Sequence, residues 1–307
     1  MNETVVRNAH MAFGAAVAAR PPTAMVTASY AADLERCRLL CDTMDRFVTG
    51  SDRHYILVEP RDVALFRQLE GPRRTVVDER ELLPPWLHAW WDPTSLFRRR
   101  VWVSLRTQPM RGWHVQQLRR TAIAGHIAEG LLAYCDSDVA FLKPFDCDAF
   151  WRDGKARLFR RDGGLPEGGL GNHRIWSRNA GAVLGIVSPA VSPHDYVGTL
   201  IAWRRDAVLG MCERIEAVTG RPWPEALGRD RRFSECILYG RYADEVLRSG
   251  HFHDARELCK VHWEGQAMDE AALRRFVEAM EPGQVAIGLQ SFIGTDLARI
   301  RRLIEAR

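Results

Sequence analysis

Nothing in the 307 residues reads as a membrane span. The longest apolar stretch near the start, 11–19, falls far short of the ~20 residues a bilayer crossing needs. Cysteine lacks any paired arrangement: Cys37, Cys41, Cys135, Cys147, Cys212, Cys236 and Cys259 include no C-x-x-C pair and no zinc-ligand spacing. An odd set in a long chain reads as reduced thiols, which implies a cytoplasmic protein. Cys37 and Cys41, four residues apart, would share one helix face as small core residues. Charge of one sign is not concentrated either. The formal net charge is +4 without a basic block, so no nucleic-acid partner is expected. Internal repeats and interdomain linkers are missing as well. Arg7 ahead of the alanine-rich stretch has the outline of a secretory signal, but Gly14 interrupts it, and 1–23 is read as a leader or first helix.

What is present suffices for one large core, with 46% hydrophobic and 27% charged residues. Segment 24–28 is apolar and β-capable, and 33–48 follows with helical spacing of Leu34, Leu39, Leu40, Met44 and Phe47. Segment 54–58 makes a second strand, RDVALFRQLE at 61–70 is helix-like, and RTVVD a third strand. Strands alternating with helices predict an α/β fold with a mostly parallel central sheet and helices on both faces. Segment 81–112 breaks the rhythm with Pro84, Pro85, Trp86, Trp90, Trp91, Pro93, Trp102 and three consecutive arginines, and is expected to be an irregular connection. Helical spacing returns over 113–127 and leads into the apolar strand LLAYC. Glycine-dense 163–171 has the character of a mobile loop able to close over substrate. Beyond it the sequence predicts a buried strand over 180–187, an amphipathic helix over 195–219 and a Pro-Trp-Pro turn at 222–224. A helix over 233–242, the strands LCKVHW and VAIGLQ, and a basic helix complete the chain.

The sharpest signal is AYCDSDVAFLKPF, where an apolar strand ends on Asp136, Ser137 and Asp138. Two carboxylates at the tip of a buried strand repel each other unless a cation or hydrogen-bond donors compensate. Mg²⁺ or Mn²⁺ takes oxygen ligands and bridges to phosphate oxygens, the chemistry that stabilises a departing nucleoside diphosphate. Gln117 and Arg120, on the helix before the aspartates, are candidates to face the same crevice. His194 and Asp195, with Trp203 downstream, have the residue types of an acceptor surface, since sugars pack on aromatic rings and offer hydroxyls to carboxylates. The competing reading makes Asp195 an N-cap and Trp203 a core residue.

The order of these motifs resembles the GT-A glycosyltransferases, especially the branch of glycogenin and the bacterial lipooligosaccharide galactosyltransferases. The resemblance implies a single GT-A (Rossmann-like) domain over 24–307, with a nucleotide-binding half at 24–145 and an acceptor-binding half at 146–307. It implies that Asp136 and Asp138 bind the metal. In that branch Asn-Ala-Gly precedes an apolar strand and its asparagine faces the donor sugar, which carries over to Asn179 and, beside it, Gly181. The branch's acidic pair at a helix start maps loosely onto Ser234 and Glu235. Its His-x-x-Gly maps onto His262, which would complete the metal site. The Lys-Pro-Trp that follows in the branch is absent here, so diphosphate contacts would fall to Arg119, Arg120 or Lys260. The first strand resembles the one that receives the nucleotide base, with Thr27, Tyr30 and Asp33 as candidates.

The function implied is transfer of a sugar from a nucleotide-diphosphate sugar, with UDP ahead of GDP, to a carbohydrate or other hydroxyl acceptor. An inverting reaction would call on Glu235 or Asp195 as general base. The alternatives are a haloacid-dehalogenase-type phosphatase, which also carries D-x-D after a strand but opens with it, and a non-catalytic carbohydrate-binding protein of the same fold.

Overall fold

The computed structural model describes residues 20–305, so most of the leader expected at 1–23 lies outside the described residues. Strand β1 (Thr23–Ala28) is buried along its whole length. Helix α1 (Leu34–Phe47) follows, burying Cys37, Leu39, Leu40, Cys41 and Met44 on one face, so both cysteines are core residues as their spacing implies. Strands β2 (Arg53–Val58) and β3 (Arg74–Asp78) add to β1 in parallel. Helix α2 (Gly112–Ala122) then leads to β4 (Leu131–Tyr134), which pairs in parallel with the opposite edge of β1. Side chains alternate along β1: Ala24, Val26 and Ala28 join a cluster with Val115 and Leu118 of α2, whereas Met25 meets Leu40 and Met44 of α1. Helices therefore cover both faces of a mostly parallel sheet, as the strand–helix alternation predicts.

The later chain brings in β5 (Val139–Phe141), β6 (Lys155–Phe159), α3 (Gly171–Leu184), β7 (Ile201–Arg204) and α4 (Arg205–Thr219). It continues through α5 (Glu235–Arg241), β8 (His251–Asp254), β9 (Cys259–His262), α6 (Glu270–Glu278), β10 (Ala286–Leu289) and α7 (Leu297–Glu305). The main sheet has the order β7-β4-β1-β2-β3, with β7 antiparallel. Strands β9, β10 and β5 form a second sheet, and β6 pairs with β8 in a third.

Four expectations need correction. The strand expected over 180–187 is the second half of α3, whose buried residues Ser177, Ala180, Gly181 and Leu184 recur at helical spacing until Gly185 ends it at φ 70°. The helix expected from 195 begins only at Arg205, because Ile201–Arg204 is drawn into the sheet as β7, pairing Ile201 with Tyr134 and Trp203 with Leu132. The Pro-Trp-Pro segment starts a helix, Trp223–Arg229, with proline in its first turn, where the missing N–H costs nothing. Segment 81–112 is not irregular: His88–Trp91, Arg100–Val103 and Met110–Arg111 form a small antiparallel sheet.

Candidate functional site

The strand order places the site. From β1 the chain moves outward through β2 and β3, then returns to β4 on the other side of β1, so the carboxyl ends of β1 and β4 flank the reversal of strand order, where open α/β sheets form their ligand crevice. Tyr30 and Asp33 follow β1 there, and Asp136, Ser137 and Asp138 follow β4. Asp138 ties this point to the second sheet: its Oδ2 accepts from the Ser291 N–H at 3.1 Å and its carbonyl from the Leu289 N–H at 3.1 Å. Burial, then the neighbouring Asp136 charge, with Asp33 adding to them, pushes the Asp138 carboxyl up to about 7, although the Ser291 N–H and Arg36 oppose this. The Asp33 carboxyl is raised by burial against the pull of Ser291, Arg36 and Ser137. Arg36 is close to both acids but donates to the Leu289 and Thr295 carbonyls, at 3.4 and 2.9 Å. Among the described residues neither Asp33 nor Asp138 has an ion-pair partner. Tyr30, 44% exposed, stands at the same lip, its hydroxyl raised by burial and by Asp33.

Arg120 organises the other wall. One guanidinium nitrogen lies 3.4 Å from Asp136 Oδ1 and 3.2 Å from Glu235 Oε1, and the group sits over the Tyr134 ring at 4.8 Å. Burial works against its charge, and the carboxylates of Glu235 and Asp136 more than offset it, so it stays protonated. Glu235, at the first position of α5, is raised by burial while Arg120 pulls it down. Gln117 is buried, and its Oε1 accepts from the Glu235 N–H at 2.9 Å. It therefore caps α5 and does not line the crevice.

Other expected site residues lie elsewhere. Thr27 is buried with its hydroxyl 3.0 Å from His54 Nε2. Asn179 donates to Asp230 at 3.2 Å and to the Arg232 carbonyl at 2.8 Å. Gly181 lies inside α3 where Arg241 crosses it. Arg119 is buried against Glu79 at 3.2 Å. Lys260 reaches the Ala279 carbonyl and covers the Phe276 ring at 5.0 Å. Asp195 is fully buried, bonded by Arg161 at 2.7 Å and His173 at 3.2 Å, and its neighbour His194 lies 3.2 Å from Asp162. Trp203 is a core residue between Tyr134 and Tyr239, ring centroids 4.4 and 4.8 Å away. It offers no face to an acceptor.

His262 is an intermediate case. It pairs with Leu289 in the β9–β10 register, and Leu289 in turn bonds to Asp138, which sets the two backbones about 10 Å apart. Its Nε2 lies 3.1 Å from the Gln266 carbonyl. Among the described residues, no three histidine, cysteine, aspartate or glutamate side chains stand close enough to enclose a metal ion. Asp138 feels the charges of Asp136 and Asp33 without the three closing into a cage. Ser291 and Arg36 are the functional neighbours the sequence reading missed. Arg36 is legible in principle, one turn after Asp33. The Ser291 contact spans 153 residues and leaves no local signal.

Comparison with protein-family models matches residues 17–306 to a family of unknown function, DUF6492. No curated protein matches the chain.

Proposed function

We propose that this chain, which belongs to the DUF6492 family, is a glycosyltransferase moving a sugar from a nucleotide-diphosphate sugar to a hydroxyl acceptor with a divalent cation. One observation carries the reading: Asp136, Asp138 and Asp33 gather at the strand-order reversal, and Asp138 stands there half-buried beside another carboxylate without a cationic side chain of its own. A mostly parallel sheet with helices on both faces, and the aspartates directly after β4, agree with what the GT-A resemblance implies.

Asp138 and Asp136 would hold Mn²⁺ or Mg²⁺, with phosphate oxygens completing the shell, and the ion would neutralise charge on the departing diphosphate. Arg120 fixes the orientation of Asp136 by sharing its guanidinium with Glu235. Tyr30 offers a ring on which a nucleotide base can stack. His262 would join the ion only by leaving the Gln266 carbonyl. Glu235 and Asp195, the carboxylates an inverting reaction would use as base, are both engaged by arginine. That favours a route without a protein base, the retaining outcome of the glycogenin branch.

Calorimetry of UDP and GDP, each with and without Mn²⁺, tests the reading. Binding is expected with the cation, to be lost without it, and to be lost in Asp138→Asn. Nucleotide affinity unchanged by that substitution would sink the assignment, and release of phosphate from small phosphoesters with no nucleotide dependence would favour the phosphatase.

A further inference from the structure

The small antiparallel sheet over His88–Trp91, Arg100–Val103 and Met110–Arg111 takes no part in the chemistry above, and its composition is lopsided. From 84 to 113 the chain carries five tryptophans and five arginines against a single carboxylate, Asp92. Asp92 is buried, accepts from the Thr94 N–H at 2.9 Å and hydroxyl at 2.6 Å, and lies 3.6 Å from Arg111. The sheet is held to the body from below: Trp102 is buried with its indole N–H donating to Glu79 at 3.1 Å, and Arg100 reaches Glu59 at 3.2 Å.

Above those anchors the apolar side chains stand in water. Trp90 is 63% exposed, and at the turn Leu96 is 76% and Phe97 64% exposed. Arg98 and Arg99 complete the same turn, both exposed, and among the described residues neither guanidinium has an acidic partner. A protruding turn with large apolar side chains and uncompensated positive charge matches an interface that is apolar inside and anionic at its surface. Tryptophan, phenylalanine and arginine are favoured at protein interfaces as well, so a second copy of the chain is the rival that the test separates.

We propose that this turn docks on the surface of an anionic phospholipid bilayer, with Leu96, Phe97 and Trp90 entering the headgroup–acyl boundary and Arg98 and Arg99 reaching lipid phosphates. Glu59 and Glu79, which anchor the sheet, directly follow β2 and β3. The small sheet is therefore attached at the same edge of the main sheet, the carboxyl ends of its parallel strands, as the aspartates. Membrane binding stands whether or not the chain transfers sugar.

Co-flotation of the full chain with vesicles tests this. Phosphatidylcholine vesicles containing roughly 30% phosphatidylserine should carry the protein, pure phosphatidylcholine much less, and added salt should weaken the binding. Arg98→Glu with Arg99→Glu should lower partitioning by roughly thirtyfold or more. Leu96→Ser with Phe97→Ser should abolish it at an unchanged melting temperature, and brominated lipid should quench wild-type fluorescence more than that of Trp90→Phe. No flotation, or flotation indifferent to both double variants, overturns the proposal. So does a concentration-dependent dimer that Phe97→Ser dissociates, which would assign the surface to a second copy of the chain.

Discussion

Asp138 binds its proton more tightly in the folded chain than in the unfolded one, because burial and the Asp136 charge push its carboxyl from 3.8 up to about 7. A raised acid contributes stability that is complete below its unfolded value and is lost as pH rises through the folded one. The wild-type melting temperature should therefore lose ground to that of Asp138→Asn as pH rises from about 4 to about 7. Asparagine still accepts from the Ser291 N–H and carries no charge, so above about pH 7.5 the variant should be more stable by about 1–3 kcal/mol. Saturating Mn²⁺ should reduce that gap, and the absence of any pH-dependent difference between the two melting curves would count against the acidic cluster. Arg120 behaves in the opposite way. Arg120→Met leaves Glu235 buried without its cation and should cost about 3 kcal/mol. Arg120→Met combined with Glu235→Gln should recover most of the loss in denaturant unfolding, since the buried charge is then gone and only the more exposed Asp136 has lost its partner.

The helix α3 illustrates how an element can mislead when read alone. NAGAVLGIV is a short apolar run with β-branched members, and such a run does not separate a buried strand from a buried helix. The packed helix is tied down by the side chain of Arg241: its guanidinium donates to the Ser177 carbonyl of α3 at 2.6 Å and to the Pro189 carbonyl just beyond at 2.7 Å. Gly181 is where that guanidinium passes, and an added Cβ would lie 2.5 Å from its Nη1. Gly181→Ala should accordingly destabilise the chain by about 1–3 kcal/mol in thermal or urea unfolding, despite alanine's better helix propensity. A neutral or stabilising effect would show that Arg241 can move aside. The glycine-dense loop ahead of α3 is partly anchored: the Leu165 N–H donates to the Pro193 carbonyl at 2.9 Å, and Arg174 holds the Leu165 and Pro166 carbonyls at 3.1 and 3.0 Å. Any closure over substrate is left to the exposed stretch 166–168.

Across the whole molecule the two expected halves are interleaved. Strand β7 from the second half completes the sheet beside β4, and β10 holds β5 and the Asp138 loop. A fragment ending at residue 145 would expose Leu132 and Tyr134, both buried against later segments, and should show no cooperative melt in circular dichroism. Much was decided by the sequence alone. The apolar runs of β1 to β4 and the helical period of α1 and α2 are local properties, set by side-chain spacing, and they predict the parallel sheet and the place of Asp136 and Asp138 at its tip. The sequence could not decide which distant groups meet there. Ser291 against Asp138, Glu235 against Arg120, and the recruitment of 201–204 as an edge strand are pairings across long loops. Their energy comes from burial and shared charge in the assembled crevice, which no window of neighbouring residues contains.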